Sequence, residues 1–352
     1  MIIGACGFGS TGSSAVSDYL LEYGAIKVID KIEFTWVYEV DGLIDLKYHL
    51  MNPHGRTSDS IYAIERFRNM CKRNRSKLEQ VGVPRDKFMQ MVDDFIAEII
   101  DVTWKWYGLK SQNTAYMFMF RILNRLKIIR KWEMKNGCHW EKFPYRPVYL
   151  SVKPTNFDNA AKKLVTEILK FMGIDGTCPV VFDQPFSGNN PQAAMQFFDN
   201  PYAIIVDRDP RDNYAFAKTK LLTKHCSHLM PVNDVKDFVN YYRALRNKQP
   251  YKDKDERVLR LQFEELVYHY DETTEKIKKF LSLGENPNPK SIFDPSISMP
   301  NTQVWKRYPH LAKDIEYIEK ELPEYLFNYT GCPEPDFNAP MFVGKSPKNK
   351  NK

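Results

Sequence analysis

The residues best equipped for chemistry open the chain. Gly7-Phe-Gly-Ser-Thr-Gly-Ser-Ser14 follows a short apolar run, Ile2 to Cys6, and leads into helical spacing from Ser13 to Glu22. A glycine-rich turn between a strand and a helix presents successive backbone N–H groups, and the helix adds the positive end of its dipole. Such a site holds a phosphate or sulfate. Gly9, Ser10, Thr11, Gly12, Ser13 and Ser14 are the expected anion-holding residues.

Three chemistries share loops of this kind. As G-x-G-x-x-G the loop is a dinucleotide fingerprint, with Asp30 closing the next apolar run where a ribose hydroxyl would be held. As a Walker loop it carries Ser13 in the lysine position, which argues against ATPase or kinase chemistry. As a 5′-phosphosulfate loop it offers amides and short hydroxyls to a phosphate bearing one transferable sulfuryl group.

A second site candidate lies in Tyr202-Ala-Ile-Ile-Val-Asp-Arg-Asp-Pro-Arg-Asp212, a strand running into a helix. Asp209 is suited to the N-cap and Pro210 to the first helical position. Arg208 then stands at the carboxyl edge of a sheet, where open α/β folds bind ligands and a guanidinium can grip a phosphate bidentately.

This Arg-Asp-Pro-Arg-Asp segment, downstream of an amino-terminal phosphate loop, resembles the 3′-phosphate motif of sulfotransferases that use 3′-phosphoadenosine 5′-phosphosulfate (PAPS). Leu259 to Leu266 resembles that family's strand ending in a Tyr-Glu-Asp-Leu-like sequence. Met299 to Arg307 resembles its late Gly-x-Trp-Lys segment. The resemblance implies PAPS as cofactor, no metal requirement, and Arg208, Trp305, Lys306 and Arg307 on the cofactor. It covers both ends of the chain and leaves the middle uncovered. Two positions depart from it: Ser10 replaces a usual basic residue of the loop, and Phe216 replaces a usual serine on the 3′-phosphate. Another cation must then balance the phosphosulfate.

An acceptor hydroxyl needs a base. Asp183-Gln184-Pro185 resembles the family's His-Leu-Pro turn, making Asp183 a candidate base, with His54 and His49 as alternatives. The implied acceptor is a hydroxyl or amine, with a glycan first by analogy. Trp104-Lys-Trp-Tyr107 and the basic stretch from Arg121 to Lys135 suit a sugar or acidic glycan, or are core aromatics with a solvated basic face. His225 and His228 flank Cys226 without a second ligand cluster, so no metal is expected there. Two rivals stay open: an NAD(P)-dependent oxidoreductase and a non-catalytic nucleotide-binding protein.

These residues need a scaffold. Strand-like runs at Ile2–Cys6, Ala25–Ile29, Val148–Val152, Pro179–Phe182, Tyr202–Val206 and Arg257–Leu261 alternate with helical stretches. That alternation predicts an α/β fold with a mostly parallel central sheet covered by helices on both faces. Apolar spacing between 58 and 136 predicts a helical insertion in one domain over 1–344, followed by a disordered basic tail from Lys345 to Lys352. The formal charge of +7 suits an anionic ligand or peripheral membrane contact, and is too scattered for nucleic acid. Six cysteines without a CxxC pair fit a reducing, cytoplasmic setting, with Cys6 and Cys178 as buried thiols. No leader or membrane-spanning run is expected.

Overall fold

The computed structural model describes residues 1–52, 58–106, 118, 122, 125, 126, 146–221, 230–247 and 255–341. Its strands are β1 Ile2–Gly7, β2 Lys27–Ile29, β3 Val102–Trp106, β4 Arg146–Leu150, β5 Val180–Asp183, β6 Pro201–Asp207 and β7 Val258–Gln262. Five of them form one all-parallel sheet in the order β2-β5-β1-β6-β7. The continuous apolar runs of β1, β5 and β6 match strands buried on both faces, as parallel sheets require.

Contacts divide the chain into two compact units. The first comprises Met1–Tyr38, Lys77–Val83 and Val165–Lys352, and the second comprises Glu39–Ser76 and Pro84–Leu164.

In the first unit, one face of the sheet packs Ile3, Ala5, Val181, Ile204, Val206 and Leu261 against Val16 and Leu20 of α1 (Ser14–Leu21) and against Leu266 and Ile277. Burying one such side chain contributes about 1.5–3 kcal/mol. A second core joins Tyr214, Phe238, Tyr242, Val304 and Ile318. Gly24 ends α1 with φ +67, the left-handed conformation expected of a helix-terminating glycine. Asp209 caps the Pro210–Phe216 helix by accepting from the Arg211 amide, with Pro210 at the helix start.

The second unit pairs helices Ser58–Glu79 and Arg85–Ile99, with Phe67 and Phe95 in edge contact at 5.6 Å. Here the structure differs from the sequence reading. Val148–Val152 was expected in the parallel sheet, but Arg146–Leu150 instead forms an antiparallel pair with Val102–Trp106, from Val102↔Leu150 to Trp106↔Arg146. Trp104, Lys105 and Trp106 therefore lie on a strand, and Trp104 is exposed. A five-residue alternating run next to long helices reads as helix, because strand pairing depends on a distant partner.

Cys6 is fully buried, whereas Cys178 is partly exposed in the turn before β5 and so is not the buried thiol expected. Among the described residues no helix is long and apolar enough to cross a membrane. His54, Tyr107, the Arg121–Lys135 stretch apart from residues 122, 125 and 126, His225, Cys226, His228 and the tail from Lys345 lie outside the described residues.

Candidate functional site

β1 is the central strand of the sheet, and the glycine-rich loop leaves its carboxyl end to start α1. Three loop residues take left-handed backbone: Gly9 at φ +86, Ser10 at φ +55 and Gly12 at φ +91. A Cβ on Gly12 would stand 2.6 Å from the Phe263 ring, so this position needs glycine for space as well as conformation. At Gly9 the space is open, and the glycine serves conformation alone.

Four side chains hold the loop. Thr11 Oγ1 accepts from the Phe8 amide at 3.3 Å. Gln184 spans the loop's two ends: its Oε1 accepts from the Gly7 amide at 3.1 Å, and its Nε2 donates to Ser13 Oγ at 2.9 Å. Asn213 Nδ2 donates to the Gly9 carbonyl at 3.2 Å, and Arg208 Nη1 donates to the Ser10 carbonyl at 3.1 Å. A trans peptide turns its N–H opposite to its C=O. Anchoring the Gly9 and Ser10 carbonyls to the protein therefore aims the amides of Ser10 and Thr11 away from it. Among the described residues, no backbone amide from Gly9 to Ser14 donates to a protein acceptor. The loop is a cradle of unspent N–H groups at a helix start, the chemistry of an anion site.

Arg208 is 2% exposed. Besides Ser10, it donates from Nη2 to the Asn301 carbonyl, and its guanidinium lies 5.6 Å from the ring centres of Phe216 and Phe263. So Arg208 braces the loop from within, and Phe216 occupies the wall beside it.

Behind Arg208 lies a carboxylate cluster. Asp209 accepts from the Phe327 amide and from Arg211, whose guanidinium stacks 4.1 Å from the Trp305 ring centre. Asp212 accepts from the Gln303 amide at 2.9 Å, from the Val304 amide and from the Tyr329 hydroxyl. Glu264 Oε1 accepts from the Asp209 amide at 3.1 Å. Glu264 Oε2 and Arg208 Nε have no hydrogen-bond partner among the described residues. With Asp209 neutralised by Arg211, the Arg208 charge serves both Asp212 and Glu264. Burial raises the pKa of each, Asp209 repels both and Asp212 also repels Glu264, while Arg208 opposes the rise. Both carboxyls are thereby biased toward the protonated form.

Of the remaining predicted residues, Asp183 ends β5 in register with Ala5 of β1, and its carbonyl accepts from the Phe34 amide at 2.9 Å. It directly precedes the loop-clamping Gln184. Trp305, Lys306 and Arg307 form one short helical turn. Lys306 pairs with Glu334 at 2.5 Å, and Arg307 donates to the carbonyls of Pro300, Asp336, Phe337 and Ala339. His49 lies in the second unit with Nδ1 3.3 Å from Asp59.

The chain matches no protein-family model and no curated protein. The site must be read from its own geometry.

Strand order bears on the dinucleotide reading. In a Rossmann fold the strand carrying the ribose-binding acid pairs directly with β1. Here β5 lies between them, so the strand before Asp30 is two spacings, about 10 Å, from β1. Among the described residues no group of three or more His, Cys, Asp or Glu is placed to hold a metal ion.

Gln184, Asn213 and Glu264 escaped the sequence reading. Gln184 is one polar residue past a strand, and its loop partner Ser13 is 171 positions away. Glu264 had one local signal. It adjoins Glu265, which completes a capping box with Gln262, so only one member of the Glu-Glu pair is needed at the helix start.

Proposed function

We propose that this protein is a sulfotransferase that binds PAPS at the Gly9–Ser14 loop and acts on a hydroxyl or amine, a glycan being the first candidate. The supporting observation is the cradle itself: unspent amides from Gly9 to Ser14, with Ser13 where an NTP-hydrolysing loop needs lysine. The fit to a phosphosulfate group rests on these amides and on the Ser10, Ser13 and Ser14 hydroxyls.

When bound, PAPS supplies the sulfuryl group and leaves as adenosine 3′,5′-bisphosphate. The loop amides hold the anion, and α1 contributes its dipole to charge developing on the leaving phosphate. Gln184 and Arg208 fix the loop's shape, so that little reorganisation is needed as charge develops. Asp183 is the candidate base for the acceptor proton, next to the residue that clamps the loop. Arg208 acts here by positioning the loop rather than by direct contact.

The strand order weighs against the oxidoreductase alternative. The test is a thermal-shift titration with adenosine 3′,5′-bisphosphate, with NADH and ATP as controls. A selective rise with the bisphosphate is expected. A rise with NADH alone would overturn the reading. Bisphosphate binding without turnover on any acceptor would leave a nucleotide-binding protein.

A further inference from the structure

The unit of Glu39–Ser76 and Pro84–Leu164 holds a two-stranded sheet, in which β3 is paired with β4 along one edge. Among the described residues no strand pairs with the other edge of β3. Such an edge presents backbone N–H and C=O groups in a row and is a template for an added strand. Asp101 to Lys105 are all exposed, with Val102 at 46% and Trp104 at 38%. Folded chains protect open edges with proline, a bulge or charge. β3 reads Val-Thr-Trp-Lys-Trp, without proline, and Lys105 is its one charge.

Strand alternation sorts these side chains. Val102 and Trp104 stand on the face that carries Leu150 and Val148 of β4, and Thr103 and Lys105 stand on the other. The Lys105 side chain has no ion pair or hydrogen bond among the described residues. Asp101, just before the strand, accepts from the Val152 amide at 2.8 Å and meets no cation among the described residues. Two opposite charges at either end of one open edge are therefore both uncompensated.

That arrangement is complementary to itself. In an antiparallel pairing of two β3 strands centred on Thr103, Asp101 of each faces Lys105 of the other, Val102 faces Trp104, and Thr103 faces Thr103. Opposite charges, an aromatic against a β-branched residue, and paired threonines are all favourable cross-strand neighbours. Centring on Trp104 puts Lys105 against Thr103 and leaves its charge unmatched. Centring on Lys105 sets two lysines face to face, which is unfavourable. The charges thus select both the partner and the register. A two-fold contact of this kind uses up the open edge of both strands and closes at a dimer.

We propose that the open edge of β3 binds the β3 of a second copy of this chain, giving a continuous sheet β4-β3-β3-β4 in the Thr103-centred register. Five residues a side bury less than the roughly 1,200 Å² of a standard interface, so the dimer dissociates on dilution. The proposal does not depend on the sulfuryl-transfer reading.

The test is sedimentation velocity of the full chain over a concentration series. The wild type should pass from monomer to dimer as concentration rises. Lys105→Asp sets like charges against each other at both ends of the pairing and should weaken association at least about tenfold. At a concentration where the wild type is monomeric, the melting temperature of this variant should match the wild type, since Lys105 has no side-chain partner in its own chain to lose. Asp101→Lys should weaken association similarly. The two substitutions together should restore it, an outcome that a structural defect would not produce. A wild type that stays monomeric throughout the series overturns the proposal. So does a dimer that Lys105→Asp leaves intact, or a double variant that associates no better than the single ones. The phosphate loop belongs to the other compact unit, so none of these outcomes bears on the bisphosphate result.

Discussion

Arg208 donates from Nη1 to the backbone carbonyl of Ser10 at 3.1 Å, across 198 positions of sequence. The end of β6 is thereby tied to the tip of the phosphate loop. Arg208→Ala removes the brace and leaves Asp212 and Glu264 without their compensating charge. Breaking such a buried arrangement costs about 3–5 kcal/mol. Arg208→Lys keeps the charge but lacks a fork able to reach both Ser10 and Asn301. The lysine variant should recover much of the stability in chemical denaturation, yet bind adenosine 3′,5′-bisphosphate about tenfold or more weakly than wild type. Wild-type affinity in that variant would remove Arg208 from loop positioning.

Gln184 has left-handed backbone, φ +51, and its side chain bridges Gly7 and Ser13. Replacement by glycine relieves the backbone strain and deletes the clamp, so the two effects separate. Gln184→Gly should hold stability within about 1 kcal/mol of wild type, since the relieved strain offsets part of the lost hydrogen bonding. Bisphosphate affinity should still fall about tenfold. Calorimetric titration beside a denaturation curve reads both; an unchanged affinity would mean that the loop keeps its shape without the clamp.

Gly9 and Gly12 both sit at positive φ but differ in their surroundings. Gly12→Ala meets Phe263 as well as backbone strain, and should destabilise by about 2 kcal/mol or more. Gly9→Ala meets open space, and should cost about 1 kcal/mol from conformation alone. Both should weaken anion binding, because each disturbs the amide cradle. Equal destabilisation by the two would show that the Phe263 contact gives way easily.

Local signals in the sequence were reliable where one element decided the outcome. The apolar Ile2–Cys6 run, the glycines after it and Gly24 mark strand, loop and helix end without reference to the rest of the chain. Asp209 and Pro210 likewise announce the helix start that the structure contains. Long-range pairing was less legible. Nothing in Arg146–Leu150 states that it pairs with Val102–Trp106 rather than with the parallel sheet. The role of Arg208 is a similar case. Its position at the strand end was readable, but its burial depends on Asn301, Phe216 and Phe263 converging from three separate segments. Side chains with partners far along the chain decide how this loop is held, and a motif records their presence without their direction.

The Asp212–Glu264 pair makes stability depend on pH in a definite direction. Burial raises both carboxyls above their unfolded values, Asp212 to about 7. As pH rises past about 4, the unfolded chain releases protons that the native pair retains. The folded state binds more protons over this range, so stability falls with rising pH until the native group also ionises near 7. Glu264→Gln keeps an oxygen for the Asp209 amide and supplies the neutral form permanently. The variant should therefore show a flatter stability profile between about pH 4 and pH 7, and should exceed wild type at pH 8 by at least about 1.4 kcal/mol, the equivalent of one pKa unit. Denaturant titrations at a series of pH values provide the measurement. A slope identical to wild type would mean that the proton resides elsewhere in the Arg208 cluster.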